Sequence, residues 1–315
     1  MNCLKLVSTD PFFNLAVEEY LLKNRKEDFL ILGINDPSVI IGKHQVAHRE
    51  ADTEFVVADN IPVIRRISGG GTVYHDNGNV NFSFIINTTR GMQIDFRKYT
   101  LPVIEFLASE GIKASLGGKN DLRVDDLKIS GNAEHIYRER VLHHGTLLFD
   151  ADLDRLRLSL RKNTSGYVTR AVASNPSHVT NLKARAAEIR DAGEFRQRMF
   201  DYFLGMKENS SFILTPAEEK MIESLADSRY RTWEWNYAYG PEYIYSNRFE
   251  INNNNYTCRL SVREGIIREC EIEGSEEIAE VARKLTGCKH MPEDMMRIFQ
   301  NGNCPISGSD IFKFF

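Results

Sequence analysis

The sequence predicts a mixed α+β protein made of two units. Three observations carry that reading. Short apolar runs alternate with segments of helical period along the first two thirds of the chain. A polar stretch near residue 208 interrupts this pattern, and the tail beyond it has strands and helices of its own. The 315 residues, 42% hydrophobic, hold enough apolar material for two cores. No apolar run approaches the roughly 18–20 residues of a membrane span. Forty Lys and Arg against 44 Asp and Glu give a net charge of -4, so the basic excess of a broad nucleic-acid-gripping surface is absent. The N-terminus has no basic segment followed by an apolar stretch, and the expectation is a cytoplasmic protein.

The elements follow in order. Asp10 caps and Pro11 opens a first helix whose Phe13, Ala16, Val17, Tyr20 and Leu21 fall at helical spacing. Phe29–Leu32 and Ser38–Ile41, divided by the turn residues Asn35-Asp36-Pro37, read as paired strands. Phe55–Val57 and Val63-Ile64 are further strand candidates, and Val80–Phe84 alternates like a half-buried antiparallel strand. A helix over 101–110 ends at Gly111, with short strands near Ile112, Leu122 and Leu127 and a longer one over Val141–Phe149. Helices return at Leu153–Leu160 and Glu194–Leu204. The domain boundary is placed after Lys207, giving units 1–207 and 208–315. Glu208–Ser211 is polar and reads as a linker, and Thr215-Pro216-Ala217-Glu218 is a capping box. Strands at Tyr243–Glu250, Tyr256–Val262 and Gly265–Glu271, with helices at Glu277–Leu285 and Pro292–Phe299, make the small α+β tail.

Three segments carry chemistry. In Arg65–Asp76 (RRISGGGTVYHD) three successive glycines follow a strand. Their backbone N–H groups can cradle a phosphate beside two arginines, or the segment is a hairpin loop with solvated arginines. In Gly117–Ala133, Lys128 stands just before a small-residue turn. It is either a compact charge for a carboxylate or phosphate, or an exposed strand lysine. Asp121 either reaches a divalent cation through phosphate oxygens or caps a turn. In His143–Leu148 two adjacent histidines on a strand point to opposite faces, which argues against one shared metal ion and leaves one of them to line a site. The five cysteines, Cys3, Cys258, Cys270, Cys288 and Cys304, form no C-x-x-C pair, and free thiols are expected.

Together these segments resemble the lipoate–protein ligase A family: R-R-x-S-G-G-G-x-V-[YF]-H-D at Arg65–Asp76, N-x-x-F at Asn79–Phe82, G-x-[KR]-N-D-L at Gly117–Leu122, K-[IV]-S-G-x-A at Lys128–Ala133, H-H-G-T-L-L at His143–Leu148 and V-T-N-L at Val179–Leu182. The resemblance spans roughly residues 5–205, and the tail from Trp235-Asn236 looks like that family's accessory domain. It implies a biotin/lipoate ligase-like catalytic domain, with mixed and antiparallel sheets flanked by helices. It also implies two steps: lipoate and ATP give lipoyl-AMP and pyrophosphate, and a lysine of an acceptor lipoyl domain then takes the acyl group. The acceptor would be a 2-oxoacid dehydrogenase E2 or a glycine cleavage H protein.

On this resemblance Lys128 serves both carboxylate and α-phosphate. Arg66 and the backbone of Gly71, Thr72, Val73 and Tyr74 hold the nucleotide, with Asn120 and Asp121 near the phosphates and Mg²⁺ assisting at Asp121. Gly70, His75 and His144 join Lys128 around lipoate, and Val80, Phe82 and Phe84 either wall its tunnel or are ordinary core. Ile67 and Lys119 depart from the family's usual residues without touching these roles. A transferase of the same fold that works through a cysteine thioester is disfavoured, because residues 4–257 contain no cysteine. A non-catalytic lipoate-binding relative is disfavoured by the retained Lys128 and arginine–glycine loop.

Overall fold

A computed structural model describes residues 1–88, 95–118, 120–161, 163–274, 276–301, 306 and 308–315; Lys119 and Cys304 lie outside them. Strands β1 (Asn2–Lys5) and β2 (Phe29–Ile34) run parallel, and α1 (Pro11–Asn24) supplies the crossover that parallel neighbours require. The Asp10 carboxylate accepts from the Phe12 N–H at the start of α1, a cap worth about 1 kcal/mol. Next come β3 (Ser38–Ile41), α2 (Ala47–Glu50), α3 (Thr53–Ala58), β4 (Val63–Arg65), β5 (Val73–His75) and β6 (Asn79–Asn87). They are followed by α4 (Phe96–Ser109), β7 (Ser115–Gly117), β8 (Asp121–Val124), β9 (Leu127–Tyr137) and β10 (Arg140–Leu148).

Among the described residues the main sheet has the order β12-β1-β2-β6-β10-β9-β8-β7, where β12 is Ser210–Phe212. Alternate residues of β2 enter opposite layers. Phe29 and Ile31 pack under α1 with Leu21, Leu22 and Leu142, whereas Leu30 and Leu32 meet Phe82, Phe84, Val103 and Phe106 beneath α4 and α6 (Ala192–Leu204). A small sheet, β4-β3-β5, stands beside the α1 layer. After α5 (Leu153–Ser159), β11 (Tyr167–Thr169) leaves the first unit and pairs with β13 (Tyr243–Ile251), opening the antiparallel sheet β11-β13-β14-β15. There β14 is Asn254–Arg263 and β15 is Ile266–Glu273; α8 (Glu276–Leu285) and α9 (Pro292–Asn301) complete that layer. No helix among the described residues is long and apolar enough to cross a membrane.

Three sequence expectations change, and one open alternative, that of Val80, Phe82 and Phe84, is resolved. Phe29–Leu32 and Ser38–Ile41 are strands but not partners: each is buried on both faces, as a central strand of its own sheet must be. Phe55–Val57 is helical, because the Asp52 carboxylate caps the Phe55 N–H and starts a turn that local β-propensity cannot resist. Val80, Phe82 and Phe84 belong to the core under α4 and α6. The polar stretch after Lys207 is no linker. Ser210–Phe212 pairs in parallel with Asn2–Leu4, and α7 (Pro216–Leu225) with the π-helical turn Ala226–Tyr230 buries Ile222, Ala226 and Tyr230 against α1. Its polarity reflects an exposed edge strand. The Thr215 capping box does form, with the Glu218 carboxylate returning to the Thr215 N–H.

Candidate active site

A cavity of about 380 Å³ opens between α1, the face of the main sheet below it and the edge of the small sheet. It is lined by Arg66, Gly70–Val73, His75, Asn120, Asp121, Lys128 and His144, brought together from the separate segments 66–75, 120–128 and 144. Tyr74 alone of the expected nucleotide residues points elsewhere. As the middle residue of β5 its side chain faces away from its neighbours', and it is buried with Val39, Ile41 and Val63.

Lys128 lies at a register shift between β8 and β9, where its N–H donates to the His178 carbonyl and its carbonyl accepts from Thr180. The bulge turns its ammonium onto Asp121, Nζ to Oδ1 2.8 Å, with Arg123 a further 3.4 Å contact to the same carboxylate. Gly131 makes room for it: a Cβ there would stand 3.2 Å from Nζ. Asn120, one residue before Asp121, is pinned by reciprocal bonds with Asn132, side chain to backbone in both directions.

Arg66 is buried and gives its donors to the protein. Nε donates to Ser68 Oγ, Nη1 to the Ile40 carbonyl, and Nη2 to the carbonyls of Gly69 and Gly71 at 2.6 and 2.7 Å. Burial pulls its guanidinium down to about 10, which still leaves it charged at neutral pH. Its work in this state is to fold the glycine loop around a positive centre. Gly70, at φ 86°, takes the left-handed turn that this wrapping needs. The loop is latched from outside: Thr72 N–H donates to Ser174 Oγ, Thr72 Oγ1 to Gln45, and Ser174 in turn to the buried Glu50.

His75 and His144 are polar lining of two kinds. Ser68 Oγ lies 2.6 Å from His144 Nε2, while His144 Nδ1 donates to Glu18, which also accepts from Ser83. His75 Nδ1 lies 2.9 Å from the Asn35 amide. Asn14 fixes that amide's orientation, because its own NH₂ faces the Ile34 carbonyl and Asn35 Oδ1. His75 therefore carries its proton on Nε2, which has no partner among the described residues. Burial first, and then Arg66, push the ring down to about 3, so it is a neutral donor. His143 faces the opposite layer, stacked on Tyr99.

The sequence reading missed Asn14, Glu18, Asn35 and the wall Val172–Ser177. For the first two a signal existed: polar residues four apart in an otherwise apolar helical stretch. It also missed that Arg65 is a clamp, donating to the carbonyls of Gly42, Gln45, Trp235 and Asn236. The Trp235–Asn236 segment thus grips the strand next to the glycine loop.

Chemically, the cavity offers an ammonium held by one carboxylate, backbone amides of a glycine loop, and neutral donors along an interior partly walled by Leu6, Leu15, Ile31 and Ile40. That combination suits an anionic head group carrying a long organic chain. Residues 10–204 match the family model for the lipoyl protein ligase A/B catalytic domain. The chain is 36% identical over 313 residues to lipoate–protein ligase 1 of Staphylococcus aureus, covering 98% of this chain and 93% of that protein. Among solved structures, a putative lipoate protein ligase of Thermoplasma acidophilum with bound lipoic acid superposes with a TM-score of 0.63 at 27% identity, covering 75% of this chain and 98% of that one. A lipoate-protein ligase A bound with ATP matches with the same TM-score, identity and coverage.

Proposed function

Because the chain belongs to the lipoyl protein ligase A/B family, we propose that it is an ATP-dependent lipoate–protein ligase working through lipoyl-AMP, with the reacting carboxylate and α-phosphate meeting at Lys128. The observation that carries this is the placement of Lys128 Nζ on the cavity wall, held by the single carboxylate of Asp121 and free to exchange it for an incoming anion. In the first step a lipoate carboxylate oxygen attacks the α-phosphorus and pyrophosphate leaves with the bonding pair. Two anions must approach each other for this, and the preorganised ammonium offsets their repulsion, worth roughly 10²–10³ in rate. In the second step the acceptor lysine amine attacks the acyl carbonyl, which Lys128 polarises, and AMP departs.

Arg66 keeps the amides of Gly71–Val73 turned toward the phosphates, and nucleotide binding would draw Thr72 from Ser174. The backbone of Tyr74 continues that strand, and its side chain takes no part. Asn120 lines the phosphate end. His75 and His144 line the acyl chain's path, with Gly70 at the entrance. The chemistry of the donor set leaves a modest place for magnesium. No three His, Cys, Asp or Glu side chains gather among the described residues, so phosphate oxygens would supply most of its ligands and Asp121 one. When bound it offsets charge on the departing pyrophosphate. The acceptor is a protein lysine, and lipoyl domains of 2-oxoacid dehydrogenase E2 or the glycine cleavage H protein are the acceptors we propose.

The acyl-thioester alternative needs an activated thiol near the acyl chain. Cys3 is buried in the layer under α6, and burial pushes the thiols of Cys258 and Cys270 up to about 12. None of these lines the cavity. The test is pyrophosphate release from lipoate and ATP without acceptor, followed by acyl transfer on its addition. Acyl transfer from a carrier-bound thioester without ATP would overturn the assignment.

A further inference from the structure

Behind the cavity, on the far face of the main sheet, lies a buried pair that the reaction above does not use. His143 Nδ1 stands 2.9 Å from Glu134 Oε1, and both side chains are sealed from solvent. His143 Nε2 stands 3.3 Å from Asn132 Oδ1. Which end of the Asn132 amide meets the histidine is fixed from the other side. Asn132 Nδ2 faces the Asn120 carbonyl at 2.8 Å, and a carbonyl can only accept. Oδ1 is therefore the atom turned to the ring. Gly145 clears the space for it, since a Cβ there would fall on Oδ1.

Both ring nitrogens thus face oxygens. An ordinary histidine–carboxylate dyad, Nδ1–H on a carboxylate with Nε2 bare, would set a lone pair against a carbonyl oxygen in a dry core. We infer that Glu134 and His143 hold one proton more than that dyad: one on Nε2, donated to Asn132, and one shared between Nδ1 and Oε1. The pair is then neutral overall, which suits its burial and the absence, among the described residues, of any partner for Glu134 Oε2. Burial also holds the imidazole below its ordinary range, against the pull of Glu134.

The consequence reaches the site through Asn132. Its amide and backbone hold Asn120 by three bonds, and Asn120 precedes the Asp121 that carries Lys128. Glu134 and His143 are in this sense positioning residues for the phosphate end of the cavity. Loss of the extra proton leaves Nε2 bare, and the Asn132 amide must turn its NH₂ toward the ring and give up Asn120. The other groups packed on His143 are Phe82 of β6 and Phe96 and Tyr99 of α4; His144 lies across the sheet. Of these Tyr99, its phenol pushed up to about 12 by burial, stays neutral through the working range.

The protonation claim stands apart from the proposed reaction, and its test needs no substrate. Nitrogen-15 imidazole spectra of the folded full-length protein, with His143→Gln to assign the ring, should show Nε2 protonated at pH 7 to 8. An Nδ1–H ring with bare Nε2 would overturn the inference. The positioning claim rests on the ligase reading and is tested by kinetics. Glu134→Gln, whose amide can donate to Nδ1, keeps Nε2–H and should keep the KM for ATP within about twofold. His143→Leu, which takes away the Nε2–H donor to Asn132 and is checked for an intact fold, should raise that KM roughly tenfold. Equal KM values for both variants, with pyrophosphate release intact, would refute the positioning role. Absence of pyrophosphate release from the wild type would refute the ligase reading and leave the spectra to decide the proton count.

Discussion

Gly131→Ala isolates the placement of Lys128 from its presence. A Cβ at position 131 would stand 3.2 Å from Lys128 Nζ, 3.3 Å from Cε and 3.8 Å from Val73 Cγ1. Relaxed contacts between such atoms begin near 3.5 Å, so the ammonium must move by about 0.3 Å and the 2.8 Å bond to Asp121 must stretch or turn. A misplacement of about 1 Å in a reacting constellation costs roughly 10² in rate, so a third of that costs roughly three- to tenfold, or about 1 kcal/mol in the barrier. Stability should hardly change. The atom that yields is the end of a flexible side chain, and alanine narrows the unfolded ensemble relative to glycine by about 0.4–1 kcal/mol. The assay is the initial rate of pyrophosphate release at saturating ATP and lipoate, read beside a melting curve. An unchanged rate would refute the close approach described for Gly131. A rate loss with a melting temperature lower by more than about 4 °C would refute the argument that only the ammonium moves.

Lys128→Ala should abolish lipoyl-AMP formation in a folded protein, and Lys128→Arg should restore little, since a planar fork cannot replace a compact ammonium; detection of the adenylate decides it. A chain ending at Lys207 loses Leu214, Ile222 and Tyr230 from the α1 layer. At about 1.5–3 kcal/mol each this rivals the stability of a whole domain, and the fragment should be recovered unfolded or aggregated; a sharp melting transition would contradict that. Replacing Cys3, Cys258, Cys270, Cys288 and Cys304 together, with folding checked, should leave acceptor lipoylation measurable, and a trapped thioester would count against it. Burial also holds His290 down to about 4 and His48 well below its ordinary value. Both are neutral when folded, so their contribution to stability is complete above about pH 6.5 and is lost as the pH falls from there toward 4. Melting temperature against pH should show that slope, and His290→Gln should flatten it.

What the sequence made legible is what physics keeps local. Three consecutive glycines, a lysine beside small residues and a histidine pair each announce an unusual backbone or charge within a few residues, although the turn expected after Lys128 is strand, with Ser130–Ala133 continuing β9. The cavity gathers Arg66, Gly70–Val73, His75, Asp121, Lys128 and His144 from those segments. Asp10 and Thr215 gave the ends of two helices for the same reason, since a cap depends on its own first turn. Partnership across the chain was not legible. Whether Phe29–Ile34 pairs with Ser38–Ile41 or with β1 and β6 depends on strands 25 to 50 residues away. That Ser210–Phe212 closes a sheet edge depends on residues at the opposite terminus. Arg65 and Arg66 look alike in sequence, but one wraps the glycine loop and the other fastens Trp235 and Asn236. The burial of the Tyr74 side chain away from the cavity follows from one residue's alternation on a strand, and it leaves open only a backbone role for that residue.

Residues 167–177 belong to two structures at once. Tyr167–Thr169 is the first strand of the C-terminal sheet, in register with Tyr243–Tyr245, and three residues later Val172 begins the run that walls the cavity. A chain spans at most about 3.3–3.6 Å per residue, so little slack separates sheet from wall. The strand works as a short tether: any shift of Val172–Ser177 made by an occupant of the cavity would reach the sheet's first hydrogen bonds within a few residues. Amide exchange at Val168 and Thr169 would therefore report the occupant of a cavity that neither residue lines.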